Sequence, residues 1–229
     1  MAGPSTIGRE VPFPKLEDAA LLVIGYAGRN QSAVQHHIDE LASIGIAPPP
    51  HVPMVYDLAY DLVTSRSLVS VPSARTSGEV EPVLVRAGGV WHLALGSDHT
   101  DRELEAEDIR TSKAVCPKPV SRTAMRLDGD PAAGELDAAW DAIRLTSTID
   151  GVAYQQGTLA ALRVPSDLIA RAIASNHAGD LVIFCGTVPL LDGAFRYGAN
   201  FSATMGGGDW SLSLDYTAVV DPGTTGDGE

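Results

Sequence analysis

Residues 78–98 read GEVEPVLVRAGGVWHLALGSD, and this stretch decides the fold. Glu79 to Val85 is a β-prone run, Ala87-Gly88-Gly89 supplies a tight turn, and Val90 to Leu95 is a second β-prone run. Two such runs around a glycine turn signal an antiparallel hairpin. Pro82 lacks the amide hydrogen a ladder needs, so the first strand is expected at a sheet edge. Side chains two apart on a strand share a face, which sets the carboxylates of Glu79 and Glu81 side by side. That is costly unless a cation neutralises them, the alternative being a solvated outer face. The second strand runs out into Gly96-Ser97-Asp98-His99, and pairing across the hairpin can bring Asp98 to the glutamates. Three carboxylates that leave positions open for water suit Mg²⁺ or Mn²⁺, hard ions that prefer oxygen ligands.

Working outward, Leu21 to Gly25 reads as a short buried strand, and Ala27-Gly28-Arg29-Asn30 as a turn. Ser32 is a candidate cap for a helix over Ala33 to Ser43, where Val34, Ile38 and Leu41 form one apolar stripe and Gly45 offers a stop. Pro48-Pro49-Pro50 and Pro53 make an extended linker that no helix crosses. Residues 1–18 read as a leader or edge strand, and the acid-rich residues 101–109 as a short helix or loop. Further strands are expected at Ala153–Gln156, Leu181–Cys185, Phe201–Met205 and Trp210–Val220, with a helix over Asp167–Ala174. Residues 221–229 read as a flexible tail.

Composition narrows the function classes. The 229 residues suffice for one sizeable β-rich domain, expected over residues 1–220. Twenty-nine Asp and Glu against 16 Lys and Arg give a net charge of -13, which repels phosphate backbones and anionic lipid and argues against nucleic-acid and membrane partners. Cys116 and Cys185 have no shared motif and read as buried free thiols. No stretch approaches the roughly 20 apolar residues of a membrane span, and no secretory signal is evident, so a cytoplasmic protein is expected.

Glu79-Val80-Glu81 followed by Asp98-His99-Thr100-Asp101-Arg102 resembles the metal motif of the fumarylacetoacetate hydrolase superfamily, Glu-x-Glu and then Asp-x-[Ser/Thr]-x-Arg. Other segments match in order. Gly28-Arg29-Asn30 with the helix bearing His37 and Glu40 is similar to that family's turn and lid helix, here about residues 32–44. Ser112-Lys113 is similar to the segment of its active-site lysine, and Gln156-Gly157-Thr158 to a segment before its last core strand. Gly179 to Thr187 is similar to that strand and its loop, with Cys185-Gly186-Thr187-Val188-Pro189 in place of Thr-Gly-Thr-Pro. The resemblance spans about residues 21–205. Glu105 stands where many members have a glutamine, the gap from Glu81 to Asp98 is shorter than usual, and His36 competes with His37.

The resemblance implies an α+β, β-dominated fold: a mixed β-roll with short peripheral helices, assembled as a homodimer. It implies a divalent-metal-dependent hydrolase, with Glu79, Glu81 and Asp98 holding Mg²⁺ or Mn²⁺, that cleaves a C–C bond in a β-diketo or acylpyruvate-like acid through a stabilised enolate. His37 and Glu40, three apart on a helix, would form the base dyad that activates water. Lys113 would stabilise developing negative charge. Arg102, Thr187, Gly186 and Glu105 would bind the substrate, the fork of Arg102 taking a carboxylate. Decarboxylation, dehydration or tautomerisation of a 2-oxo acid at the same site is the alternative reading, and a non-catalytic ligand-binding protein a further one.

Overall fold

The computed structural model describes residues 6–43, 48–174 and 179–221, without the side chains of His37, Glu40, Leu41 and Ser43. Its strands are β1 (Ile7–Pro12), β2 (Ala19–Gly25), β3 (Met54–Leu58), β4 (Val63–Thr64), β5 (Leu68–Val71), β6 (Thr76–Ala87), β7 (Val90–Asp101), β8 (Lys118–Pro119), β9 (Thr123–Leu127), β10 (Arg144–Ile149), β11 (Val152–Thr158), β12 (Asp180–Phe184), β13 (Asn200–Gly207) and β14 (Trp210–Val220). The α-helices are short and lie outside the sheets: α1 (Gln31–Ser43), α2 (Arg102–Glu105), α3 (Ile109–Ala114), α4 (Asp137–Trp140) and α5 (Pro165–Ile173).

Seven strands form the larger sheet in the order β1-β9-β7-β6-β12-β2-β3, and five the smaller one in the order β11-β10-β13-β14-β5. Both are mixed: β12–β2 and β14–β5 run parallel, against antiparallel neighbours. The smaller sheet shows the alternation expected of a sheet covered on one side. Leu212, Leu214 and Tyr216 point inward from β14, while Ser211, Ser213 and Asp215 face out. Its inner face packs with Val80, Leu84, Leu93 and Leu95 of the hairpin into the main core. The opposite face of the larger sheet carries a second apolar cluster that includes Val83, Ala94, Tyr56 and Phe184. The fold is thus the strand-dominated roll with small helices that the sequence led one to expect.

The hairpin is longer than the sequence suggests. β6 and β7 pair without interruption from Thr76↔Asp101 to Ala87↔Val90. Gly88 and Gly89 close it with φ of +54° and +79°, the two positive values that a type I′ turn requires.

Three local expectations are corrected. β6 is an interior strand, between β7 and β12, despite Pro82. The Pro82 carbonyl accepts from the Cys185 amide (3.1 Å) just beyond Phe184↔Val83, the last β12 pair, so the missing N–H falls where the ladder ends. The cap of α1 is Asn30 and not Ser32, because the Asn30 side-chain oxygen accepts from the amides of both Ser32 (3.1 Å) and Ala33 (3.2 Å). Helix α5 begins two residues early, at Pro165, whose fixed φ and missing donor suit a first helical turn. No helix among the described residues is long and apolar enough to cross a membrane.

Candidate active site

The hairpin register sets the site. Glu79 pairs directly with Asp98, and Glu81 with Gly96. Directly opposed residues share a face of the sheet, with Cβ atoms about 4.5–5.5 Å apart. Glu79, Glu81 and Asp98 therefore project together, toward the side of Val83 and Ala94, and α3 packs over that end of β7.

Lys113 on α3 reaches down to Asp98, its Nζ donating to Oδ2 at 2.5 Å and to the Thr100 hydroxyl at 3.3 Å. A second lysine, Lys118, is wholly buried and donates to the carbonyls of Lys113 (2.6 Å), His99 (2.7 Å) and Cys116 (3.1 Å). It lies 3.2 Å from Asp98 Oδ1 as an ion pair, but its three hydrogens are directed at carbonyls, and Oδ1 keeps no hydrogen bond.

The two buried carboxylates are driven apart. Burial pushes the Glu81 carboxyl well above the usual range, and Asp98 adds repulsion that Lys113 only partly offsets. Burial also raises Asp98, but the ammonium groups of Lys113 and Lys118 outweigh it and hold that carboxyl at about 2. Burial disfavours the Lys113 ammonium, yet Asp98 and Glu105 shift it upward on balance, so it stays charged. Among the described residues Glu81 has no cationic hydrogen-bond partner; its Oε2 accepts from the Gly186 amide at 2.8 Å.

These residues fit a divalent ion in their chemistry: three oxygen donors on one face, an Asp98 oxygen that accepts no hydrogen bond, and a Glu81 held only by a backbone amide among the described residues. They are not closed around a point, and no three His, Cys, Asp or Glu side chains among the described residues form a ready metal cluster. Of the three, Glu79 is paired with Arg102 and Asp98 with Lys113.

Arg102 is committed on every side. It donates from Nη2 to Glu79 (2.9 Å), from Nη1 to Glu105 (2.8 Å) and from Nε to the Ser77 hydroxyl (2.6 Å), while the Phe195 ring covers its face at 3.6 Å. To take a substrate carboxylate its fork must first release an acid. Glu105 accepts from Arg102 through Oε2. The Thr187 hydroxyl lies against the carbonyls of Val80 and Val188, and the Gln155 amide donates to it at 2.5 Å. Gly186, with φ of +93° and no room for a Cβ against the Ala27 side chain, donates its N–H to Glu81. The side chains of His37 and Glu40 lie outside the described residues; that of His36 is exposed on α1.

Several residues near the site carried no sequence signal. Tyr26 takes φ of +57°, a strained value for a side chain of its size, and its half-buried hydroxyl feels both Glu105 and Lys113. Burial raises its pKa, and pushes that of Tyr56, which also senses Lys113, to about 12. Both hydroxyls therefore remain protonated donors. Lys118 stands between two prolines, with no motif in the sequence to give it a role. A cavity of about 390 Å³ opens on the smaller sheet beside Thr148, Phe201 and Asp215, and no sequence-selected site residue lines it.

Residues 24–216 match the family model described as a protein of unknown function, DUF2848. No curated protein matches the chain. Among solved structures, a protein of Oleispira antarctica assigned as a fumarylacetoacetate isomerase/hydrolase aligns with a TM-score of 0.63 and 19% identity, over 91% of this chain and 96% of that one. A Burkholderia cenocepacia protein assigned as a fumarylpyruvate hydrolase gives 0.60 and 18%, over 97% and 99%. The 5-carboxymethyl-2-hydroxymuconate delta-isomerase of Mycobacterium smegmatis gives 0.58 and 14%, over 88% and 77%.

Proposed function

The chain belongs to the DUF2848 family and has the fold of the fumarylacetoacetate hydrolase superfamily, and from that premise we propose that it is a divalent-metal-dependent enzyme hydrolysing a C–C bond in a β-diketo or acylpyruvate-like acid. The observation that carries this reading is the direct pairing of Glu79 with Asp98, which sets three carboxylates on one face beside a buried lysine. An Mg²⁺ or Mn²⁺ ion held by Glu79, Glu81 and Asp98 would supply Lewis-acid polarisation of the substrate oxygens. Lys113, fixed by Asp98 and Thr100, stabilises negative charge that develops on the substrate as the bond breaks. The hydroxyls of Tyr26 and Tyr56 offer neutral donors on the same side. His37, oriented by Glu40, takes the proton from the attacking water. Arg102, Thr187, Gly186 and Glu105 bind the substrate, the fork of Arg102 taking a carboxylate once an acid it now holds is released. The active species is a cytoplasmic homodimer.

Purified protein with Mg²⁺ or Mn²⁺ should cleave an acylpyruvate, followed by loss of ultraviolet absorbance. His37→Ala should lower that rate roughly 10²- to 10⁴-fold, the usual worth of a positioned base. Decarboxylation of a 2-oxo acid needs no activated water, so oxaloacetate decarboxylation surviving in His37→Ala but lost in Lys113→Ala would favour a lyase. Turnover of neither substrate, with metal bound, would point to dehydration, tautomerisation or ligand binding alone.

A further inference from the structure

Both walls of the site meet at one buried amide, Gln155 of β11, which belongs to the smaller sheet and is 1% exposed. Its side-chain oxygen accepts from the Val80 amide at 2.9 Å and from the Ser147 hydroxyl at 2.8 Å. Its side-chain nitrogen donates to the Val80 carbonyl at 3.3 Å, the Val188 carbonyl at 3.4 Å and the Thr187 hydroxyl at 2.5 Å. Val80 stands between Glu79 and Glu81, so holding its amide and its carbonyl fixes the peptide planes on which both carboxylates hang. Thr187 and Val188 follow Gly186, whose N–H holds Glu81. A primary amide carries an acceptor oxygen and two donor hydrogens on one rigid plane, so it can accept from the Val80 strand while donating to the Thr187–Val188 loop. An isolated Gln-to-backbone bond in a core is an ordinary way to satisfy a sheet, but this backbone is that of the candidate ligands themselves.

We propose that Gln155 is a positioning residue: it sets the separation of the Glu79–Glu81 strand from the Gly186–Val188 loop, and through it the divalent-cation affinity of the site. The proposal rests on the metal-site reading above, and two measurements keep their failures apart. Gln155→Met preserves the length and bulk of the side chain and removes all five bonds. Gln155→Glu keeps the acceptors for Val80 and Ser147 and loses the donors, and serves if the methionine variant does not fold. In either variant, amide hydrogen exchange at Gly186 should quicken by at least about tenfold while ladder amides such as Leu84 keep their protection. Mn²⁺ affinity by calorimetry, far below the unfolding temperature, should fall about 10- to 100-fold, the usual cost of losing an outer-shell orienting group. Ser147→Ala, which leaves both walls clamped, should change neither. Unchanged Gly186 exchange in a folded variant overturns the proposal whether or not metal binds, and so does Mn²⁺ affinity equal to the parent's. A parent protein that binds no Mn²⁺ instead sinks the metal-site reading, and the Gly186 exchange then judges the clamp alone.

Discussion

Asp98 and His99 are neighbours on one strand, both essentially inaccessible to solvent, and they show what the two faces of the β6–β7 hairpin do differently. Asp98 faces α3, where two lysines keep it ionised. His99 faces the smaller sheet, where burial and the nearby Lys118 charge lower its pKa to about 3 and keep it neutral. Its Nε2 bonds the Tyr216 hydroxyl (2.6 Å), which donates to Ser97 (2.8 Å), and Phe201 packs against both rings. One residue of strand alternation thus separates buried charge from buried neutral polarity. The neutral face links His99 Nε2, Tyr216 and Ser97 by hydrogen bonds, and leaves only the uncharged His99 Nδ1 of that chain without a partner among the described residues. The charged face leaves Glu81 and an Asp98 oxygen incompletely paired, an arrangement that folding alone does not reward.

Removing Glu81 breaks the comparison most sharply. Glu81→Ala should cut Mn²⁺ affinity by about 100-fold or more in calorimetry, while the thermal midpoint stays level or rises, because a poorly compensated buried acid is gone. An undiminished affinity would remove Glu81 from the metal site. The opposite face should answer in the opposite way. Tyr216→Phe orphans the partners on His99 and Ser97 and should cost roughly 3 kcal/mol in urea unfolding, at about 1–3 for each buried group, with Mn²⁺ affinity unmoved.

Acid should distinguish the faces through His99. Its folded pKa, about 3, lies below the unfolded value of 6.5, so the unfolded chain binds the extra proton first and stability falls as pH drops between those values. From pH 7 to pH 5 this one group should remove roughly 2 kcal/mol, and His99→Gln should flatten that part of the profile. Asp98 works at lower pH: its depressed pKa contributes stability that is present above about 4 and lost as pH falls toward about 2. The smallest effect is expected at the rim. Phe195→Ala uncovers the Arg102 guanidinium and should cost about 1 kcal/mol, the value of a cation–π contact whose ring is exposed, while loosening the grip of Arg102 on Glu79.

The sequence by itself determined the hairpin, since Gly88-Gly89 between two β-prone runs admits few other folds, and with it the shared face of Glu79 and Glu81. Strand alternation in β14 and the short apolar runs of β2 and β12 were legible for the same reason: side-chain period is a local property. Tertiary structure decided the rest. Whether Pro82 lay at an edge depended on where β12 stops, and whether Arg102 was an open fork depended on Glu79, Ser77 and Phe195, up to 93 residues away. Lys118 became a buried counter-charge, and Gln155 a clamp on a strand 75 residues upstream, only once two sheets met. Electrostatic and hydrogen-bond partners are set by distance in space, to which sequence spacing is blind, whereas turn chemistry and alternation are written in neighbouring residues.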